Sequence, residues 1–115
     1  MKRKIDVFDY ANVICKALKP HGILLTTAAN GKVNTMTIGW GTLGVDWSRP
    51  VFIAYVRESR YTKEMLEQNG EFTVNIPYGE INKQILGVCG TKSGRDMDKI
   101  GELGLTLVDS DVISV

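Results

Sequence analysis

Four polar donors crowd into six positions of this sequence: Arg57, Ser59, Arg60 and Thr62. Two guanidinium groups carry fixed charge in a planar fork that suits a phosphate, and two hydroxyls add further donors. The segment "TKEMLEQNG" that follows reads as a short helix. A helix starting near Thr62 turns free backbone N–H groups and partial positive charge on the same spot. Such a cluster is chemically equipped to hold a dianion. A solvated loop whose serine or threonine merely caps the helix accounts for the same residues. Upstream, "NTMTIGW" sets Asn34, Thr35 and Thr37 among Met36, Ile38 and Trp40. Alternate residues of a strand share a face, so Asn34, Met36, Ile38 and Trp40 fall on one side and Thr35 and Thr37 on the other. A flat heterocycle laid on such a strand meets an apolar wall and backbone donors for its polar rim. The plainer alternative is a β-branched strand with a core tryptophan.

Joined, a phosphate clamp and a planar slot suit a mononucleotide-type cofactor. No GxGxxG follows a strand and no GxxxxGK[ST] occurs, so neither the Rossmann nor the P-loop solution is present. His21 is the only histidine and sits after Pro20 as a loop residue, and no motif supports a Ser/His/Asp triad. Cys15 and Cys89 show no zinc-binding spacing and are expected to be free thiols in a reducing compartment. A net charge of +1 lacks the basic field of a nucleic-acid binder. The longest purely apolar run, Val51 to Val56, is too short to span a bilayer. The start "MKRKIDVFDY" leads into acidic residues rather than an apolar core segment, so no signal peptide is expected and a cytoplasmic location is.

The 115 residues, 43% apolar and 23% charged, read as one globular domain covering 1–115. Asp9 followed by Tyr10, Val13, Ile14, Ala17 and Leu18 predicts a capped helix stopped by Pro20. "GILLTTAA" predicts a strand, Asn30-Gly31 a tight hairpin turn, and Val33 to Trp40 the returning strand. "DWSRP" is expected as a loop, Val51 to Val56 as a third strand, and "EFTVNIP" as a half-buried strand. Helices are expected around Ile81 to Gly90 and from Asp96, with "LTLV" and "VISV" as closing strand-like runs. The hairpin rules out an all-parallel sheet, so the fold class expected is mainly β, an antiparallel barrel with short decorating helices.

Three segments in order, "NTMTIGW", "RPVFIAYVRESRYTKEMLEQNGEFTVNIP" and "CGTKSGRDMDKIGELGLT", resemble the flavin reductase-like, FMN-binding (flavoredoxin-like) family. The resemblance runs from about Gly22 to the last residue. It implies a Greek-key split β-barrel, dimeric, with FMN at or near the subunit interface. It places Asn34 and Trp40 on the flavin, with backbone groups of Thr35, Met36, Thr37 and Ile38 along the ring edge. Phosphate and ribityl contacts fall to Arg57, Ser59, Arg60, Tyr61 and Thr62. Lys99 is brought toward the cofactor, with Ser93 and Gly94 shaping its loop.

The family pattern continues past Val115. The match therefore implies roughly the first two thirds of the barrel, with an unpaired edge that a second copy is expected to cover. The activity implied is FMN-dependent electron transfer from NAD(P)H or a redox protein, to flavin or to a partner protein. A flavin carrier without reductase activity, or a structural remnant without cofactor, is the alternative.

Overall fold

The structure, a computed structural model, describes residues 3–77 and 83–108. A 3₁₀ turn, Val7–Tyr10, leads into α1, Ala11–Leu18. Asp6 caps the 3₁₀ turn, its carboxylate accepting from the Phe8 N–H at 3.0 Å, while α1 follows on from Tyr10 without the expected Asp9 cap. The Asp-x-Phe-Asp spacing offers two capping carboxylates one turn apart, and the first satisfies the earlier orphan N–H. Strands β1 (Ile23–Ala29) and β2 (Lys32–Ile38) form the expected antiparallel hairpin, in register from Ile23↔Ile38 to Ala29↔Lys32. Asn30 and Gly31 take φ of 53° and 78°, as a two-residue hairpin turn requires.

The next pair corrects the sequence reading. Residues 41–46 form a strand that periodicity did not reveal, β3 (Gly41–Asp46), pairing along its length with β4 (Arg49–Ala54). The expected loop at Asp46 to Pro50 shrinks to two residues, Trp47 and Ser48, with φ of 46° and 59°. Positive φ in non-glycine residues is uncommon, and "WS" carries no glycine signal, so the turn was invisible to composition. β3 itself holds two glycines and alternates poorly, for a physical reason at Gly41: a Cβ there would lie 2.5 Å from the Phe52 ring.

Helix α2 (Tyr61–Gln68) ends at Asn69 as expected, and "EFTVNIP" supplies only a short strand, β5 (Thr73–Asn75), beside β1. Helices α3 (Lys83–Thr91) and α4 (Lys99–Glu102) follow. α4 starts later than Asp96 because Asp98 caps it, accepting from the Gly101 N–H. "LTLV" is not a strand, while Ile81 and "VISV" lie outside the described residues. The sheets are β2-β1-β5 and β3-β4, all pairings antiparallel; no ladder joins the two among the described residues.

Packing decides which faces matter. Ile23, Leu25, Met36 and Ile38 bury one face of the hairpin against Ile14 and Leu18 of α1, with Leu43, Phe52 and Val74 alongside. The opposite face of β2 is covered by α3 and α4. That double cover explains three consecutive buried residues, Asn34, Thr35 and Met36. The threonines that broke the apolar pattern satisfy themselves: Thr37 donates to the Leu86 carbonyl at 2.6 Å, and Thr26 donates to Thr35 across the strands at 3.0 Å. Buried hydroxyls need such partners.

Candidate functional site

Two clefts meet at Arg60. The polar one, about 150 Å³, is walled by Asn34 from β2, by Ser59 to Thr62 at the start of α2, and by Thr91 to Gly94 and Lys99. Three cations line it, Arg60, Lys92 and Lys99, and among the described residues no carboxylate does. The only ion pairs among the described residues join Lys63 and Arg95 to glutamates outside this wall. Like charges gathered without a carboxylate repel one another, so an anion in this cleft is attracted by all three.

Each wall residue is held in place. The Asn34 amide donates to Thr62 Oγ1 at 3.0 Å, linking β2 to the first turn of α2. Arg60 donates to the Cys89 and Gly90 carbonyls at 2.9 and 3.4 Å, which are orphan acceptors of the last turn of α3. Arg60, the N-cap residue of α2, makes no side-chain cap bond, and the first turn opens beside Ser59 and Thr62. Gly94 is needed for close approach: a Cβ there would stand 2.4 Å from Asn34 Oδ1 and 2.8 Å from the Tyr61 ring.

Lys99 is the most telling side chain. It is 2% exposed, and its ammonium donates to the Thr35 carbonyl at 3.0 Å and the Cys89 carbonyl at 3.3 Å. An ammonium has three donors, so one is left for the cleft it lines. Burial depresses its pKa below the ordinary lysine range; Cys89 opposes the shift and Arg60 adds to it. Burial also raises the Cys89 thiol, against the pull of Lys99 and Arg60. Arg60 is lowered too, first by burial and then by Arg57, yet a guanidinium stays charged.

The second cleft, about 190 Å³, runs along Met36, Thr37, Ile38, Gly39 and Trp40, with Tyr55, Arg57 and Arg60 opposite. β2 pairs only with β1 among the described residues, so alternate backbone groups of this stretch face away from β1. The geometry thus divides the two arginines. Arg57 lines the slot and sits over the Trp40 ring at 5.6 Å, while Arg60 lines both clefts.

Trp40 is not a core residue. It lies beyond the end of β2, 60% exposed, with its carbonyl accepting from the Tyr55 N–H. Its position past the last ladder pair frees it from the alternation that placed Met36 and Ile38 inside. Trp40→Ala is accordingly expected to cost the single chain no more than about 1 kcal/mol, the loss of the Arg57 contact and some exposed surface. A thermal melt would expose a core role as a drop of many degrees.

Sequence reasoning missed Lys32, Tyr55, Thr91 and Lys92. Thr91 and Lys92 immediately precede the Ser93-Gly94 pair, so adjacency was the available signal. Lys32 had none: it belongs to the hairpin turn segment by sequence and reaches Gly94 only through the fold, donating to its carbonyl at 2.7 Å.

The family model for the flavin reductase like domain matches residues 18–115. An uncharacterized protein of Archaeoglobus fulgidus is 33% identical over 98 residues, 85% of this chain and 54% of its own length. The Escherichia coli protein YddH is 32% identical over 82 residues, 71% of this chain and 42% of its own. The chain therefore spans about half the length of these relatives. Among solved structures, the flavoredoxin of Desulfovibrio vulgaris (Miyazaki F) superposes with a TM-score of 0.72 at 26% identity, covering 81% of this chain and 50% of that one. A flavoredoxin of Methanosarcina acetivorans is 34% identical with a TM-score of 0.62, covering 89% of this chain and 50% of that one. An FMN-binding domain of a flavin reductases-like enzyme from Shewanella baltica, at 20% identity and a TM-score of 0.63, shares the fold; the coverage is 88% of this chain and 55% of that one. With the family model spanning most of its length, this chain belongs to the flavin reductase like domain family.

Proposed function

We propose that the chain is an FMN-binding flavoprotein of the flavin reductase and flavoredoxin kind. The phosphate occupies the cationic cleft and the isoalloxazine lies along Met36 to Trp40. One observation carries this reading: a cleft lined, among the described residues, by three cations and no carboxylate opens, at Arg60, onto an aromatic slot along β2. Two of the similar structures are flavoredoxins and a third is an FMN-binding domain. FMN supplies the redox chemistry; this chain's residues bind, orient and set the field around it. Arg60, Lys99, Ser59 and Thr62 hold the phosphate, Lys92 adds charge at the rim, and Asn34 with the Ser93-Gly94 loop sets the width between phosphate and ring. Trp40 and Arg57 cover the ring face. The electrons come from NAD(P)H or a redox protein and pass to flavin or a partner protein.

The test is the absorption spectrum after FMN is added and the protein desalted. A retained flavin band supports the reading, and colourless protein refutes it. Bleaching by NAD(P)H then separates a reductase from a carrier.

The division between the arginines sharpens this. Arg60→Ala is expected to weaken FMN roughly ten- to hundredfold while riboflavin changes little, since a charge-assisted hydrogen bond contributes about 1.5–3 kcal/mol. Arg57→Ala is expected to weaken both ligands alike, because its guanidinium faces the ring slot. Calorimetric titration of the two ligands decides, and equal losses for Arg60→Ala would remove it from the phosphate.

The proposal extends to a homodimer in the split-barrel arrangement. Trp40 and Tyr55 are large apolar side chains exposed at the slot, Ile53 is exposed on β4, and burying them favours association. Sedimentation at micromolar concentration reads the state; a monomer throughout would end this part of the proposal.

A further inference from the structure

Tyr61 is flanked by two cations that belong to none of the phosphate-directed side chains. Lys32 Nζ lies 4.9 Å from its ring centroid and the Arg95 guanidinium 5.3 Å. Each cation has a second attachment. Lys32, the first residue of β2, donates to the Gly94 carbonyl at 2.7 Å. Arg95 pairs with Glu64 in the first turn of α2. Between them the loop carries its own turn, the Arg95 N–H donating to Ser93 Oγ at 3.1 Å. Gly94 is pressed so closely on Asn34 and Tyr61 that no side chain fits. The segment 92–95, which brings Lys92, Ser93 and Gly94 to the polar cleft, is thus fastened to β2 through Lys32 and to α2 through Arg95, with Tyr61 as the common post.

Building on the FMN reading above, we propose that Lys32 and Arg95 are positioning residues that clamp segment 92–95 onto Tyr61 as a wall of the phosphate cleft and set the rate at which FMN leaves. The contacts are individually weak and partly solvent-exposed, unlike the buried hydrogen bonds of Asn34 and Lys99. A wall held by several small exposed contacts opens locally without unfolding the core, and each contact removed raises the open population. Neither cation reaches its effect by touching the phosphate, which separates them from Arg60 and Lys99.

Lys32→Met keeps most of the aliphatic stem and removes the ammonium. In the ligand-free protein, amide exchange at Arg95, Asp96 and Met97, whose N–H groups all donate to Ser93, is expected to quicken about tenfold, with the β1–β2 ladder unchanged. FMN dissociation is expected to quicken about five- to tenfold with little change in association. Lys32→Arg restores both, since a guanidinium also donates to a carbonyl and stacks on an aromatic ring. A purely electrostatic influence of Lys32 moves the dissociation rate and leaves the ligand-free exchange alone, so unchanged exchange in Lys32→Met overturns the clamp. Faster exchange with an unchanged FMN dissociation rate overturns the kinetic half. If the wild-type protein retains no FMN, the flavin reading falls and takes the kinetic half with it, while ligand-free exchange still decides the clamp.

Discussion

Gly94→Ala is expected to leave a folded protein that no longer retains FMN through desalting. The cause is steric rather than conformational, since only Gly22, Gly31 and Gly104 among the described glycines have positive φ. A methyl at residue 94 would meet Asn34 Oδ1 at 2.4 Å and the Tyr61 ring at 2.8 Å. Neither neighbour gives way easily: Asn34 is buried and bonded to Thr62, and Tyr61 is held between Lys32 and Arg95. The loop must therefore move, which breaks the Lys32 bond to its carbonyl and withdraws Ser93 and Lys92 from the cleft. Overpacking of this kind costs about 1–3 kcal/mol, enough for a ten- to hundredfold loss of affinity where the strain is relieved by opening the site. Gly87→Ala is the control, because a Cβ there meets nothing within 4 Å. It should bind as the wild type and melt no lower. FMN titration and melting of both variants check the contrast. Wild-type affinity in Gly94→Ala would show that the close approach does not shape the site.

How much of this was legible beforehand follows from which forces are local. The Asn30-Gly31 turn, and with it the hairpin and the facing of Asn34, Met36 and Ile38, depends on residues adjacent in sequence, and the structure agrees. The donor segment 57–62 was visible because α2 begins inside it. Long-range packing was not visible. The face of Thr35 and Thr37 followed from strand alternation, but the cover of that face by α3 and α4, which gives their polar groups partners, did not. The Trp47-Ser48 turn adopts left-handed backbone without glycine, which only the β3–β4 ladder can impose. A core tryptophan, the plainer alternative for Trp40, fails because β2 ends two residues before it and leaves it exposed. Arg57 and Arg60, alike in sequence, part company because one stacks on Trp40 and the other caps α3.

Lys99→Met should separate binding from folding most sharply. Two energetic terms of opposite sign accompany the loss of the ammonium. The Thr35 carbonyl loses its side-chain donor, at about 1–3 kcal/mol for a stranded buried acceptor. The Cys89 carbonyl keeps Arg60 at 2.9 Å and is not stranded. Against this, methionine spares the protein the desolvation of a buried charge, an effective penalty of several kcal/mol that the carbonyls offset only in part. The sum is expected to lie within about 2 kcal/mol of zero, so the variant folds. Its cleft, however, has lost a charged donor, and FMN should bind about ten- to hundredfold more weakly while riboflavin is little affected. Equal losses for the two ligands, with a lowered midpoint potential of the bound flavin, would place the ammonium against the ring instead of the phosphate.

The pH dependence supplies a second readout that needs no ligand. The folded pKa of Lys99 is depressed, chiefly by burial. As the pH rises between that value and the ordinary lysine value, the unfolded chain holds the proton that the folded chain has released. Unfolding free energy therefore rises with pH through that window on account of this group. Cys89 works the other way: its raised folded pKa makes its contribution fall as the thiol ionises. Cys89 is present in both proteins and in the variant loses the pull of Lys99, which raises its thiol further and moves the difference the same way, so the comparison is the difference in urea unfolding between wild type and Lys99→Met. That difference should shift in favour of the wild type as the pH is raised through the alkaline range. A pH-independent difference would mean that Lys99 titrates as an ordinary lysine, and that its ammonium is not held in the buried position from which it serves the cleft.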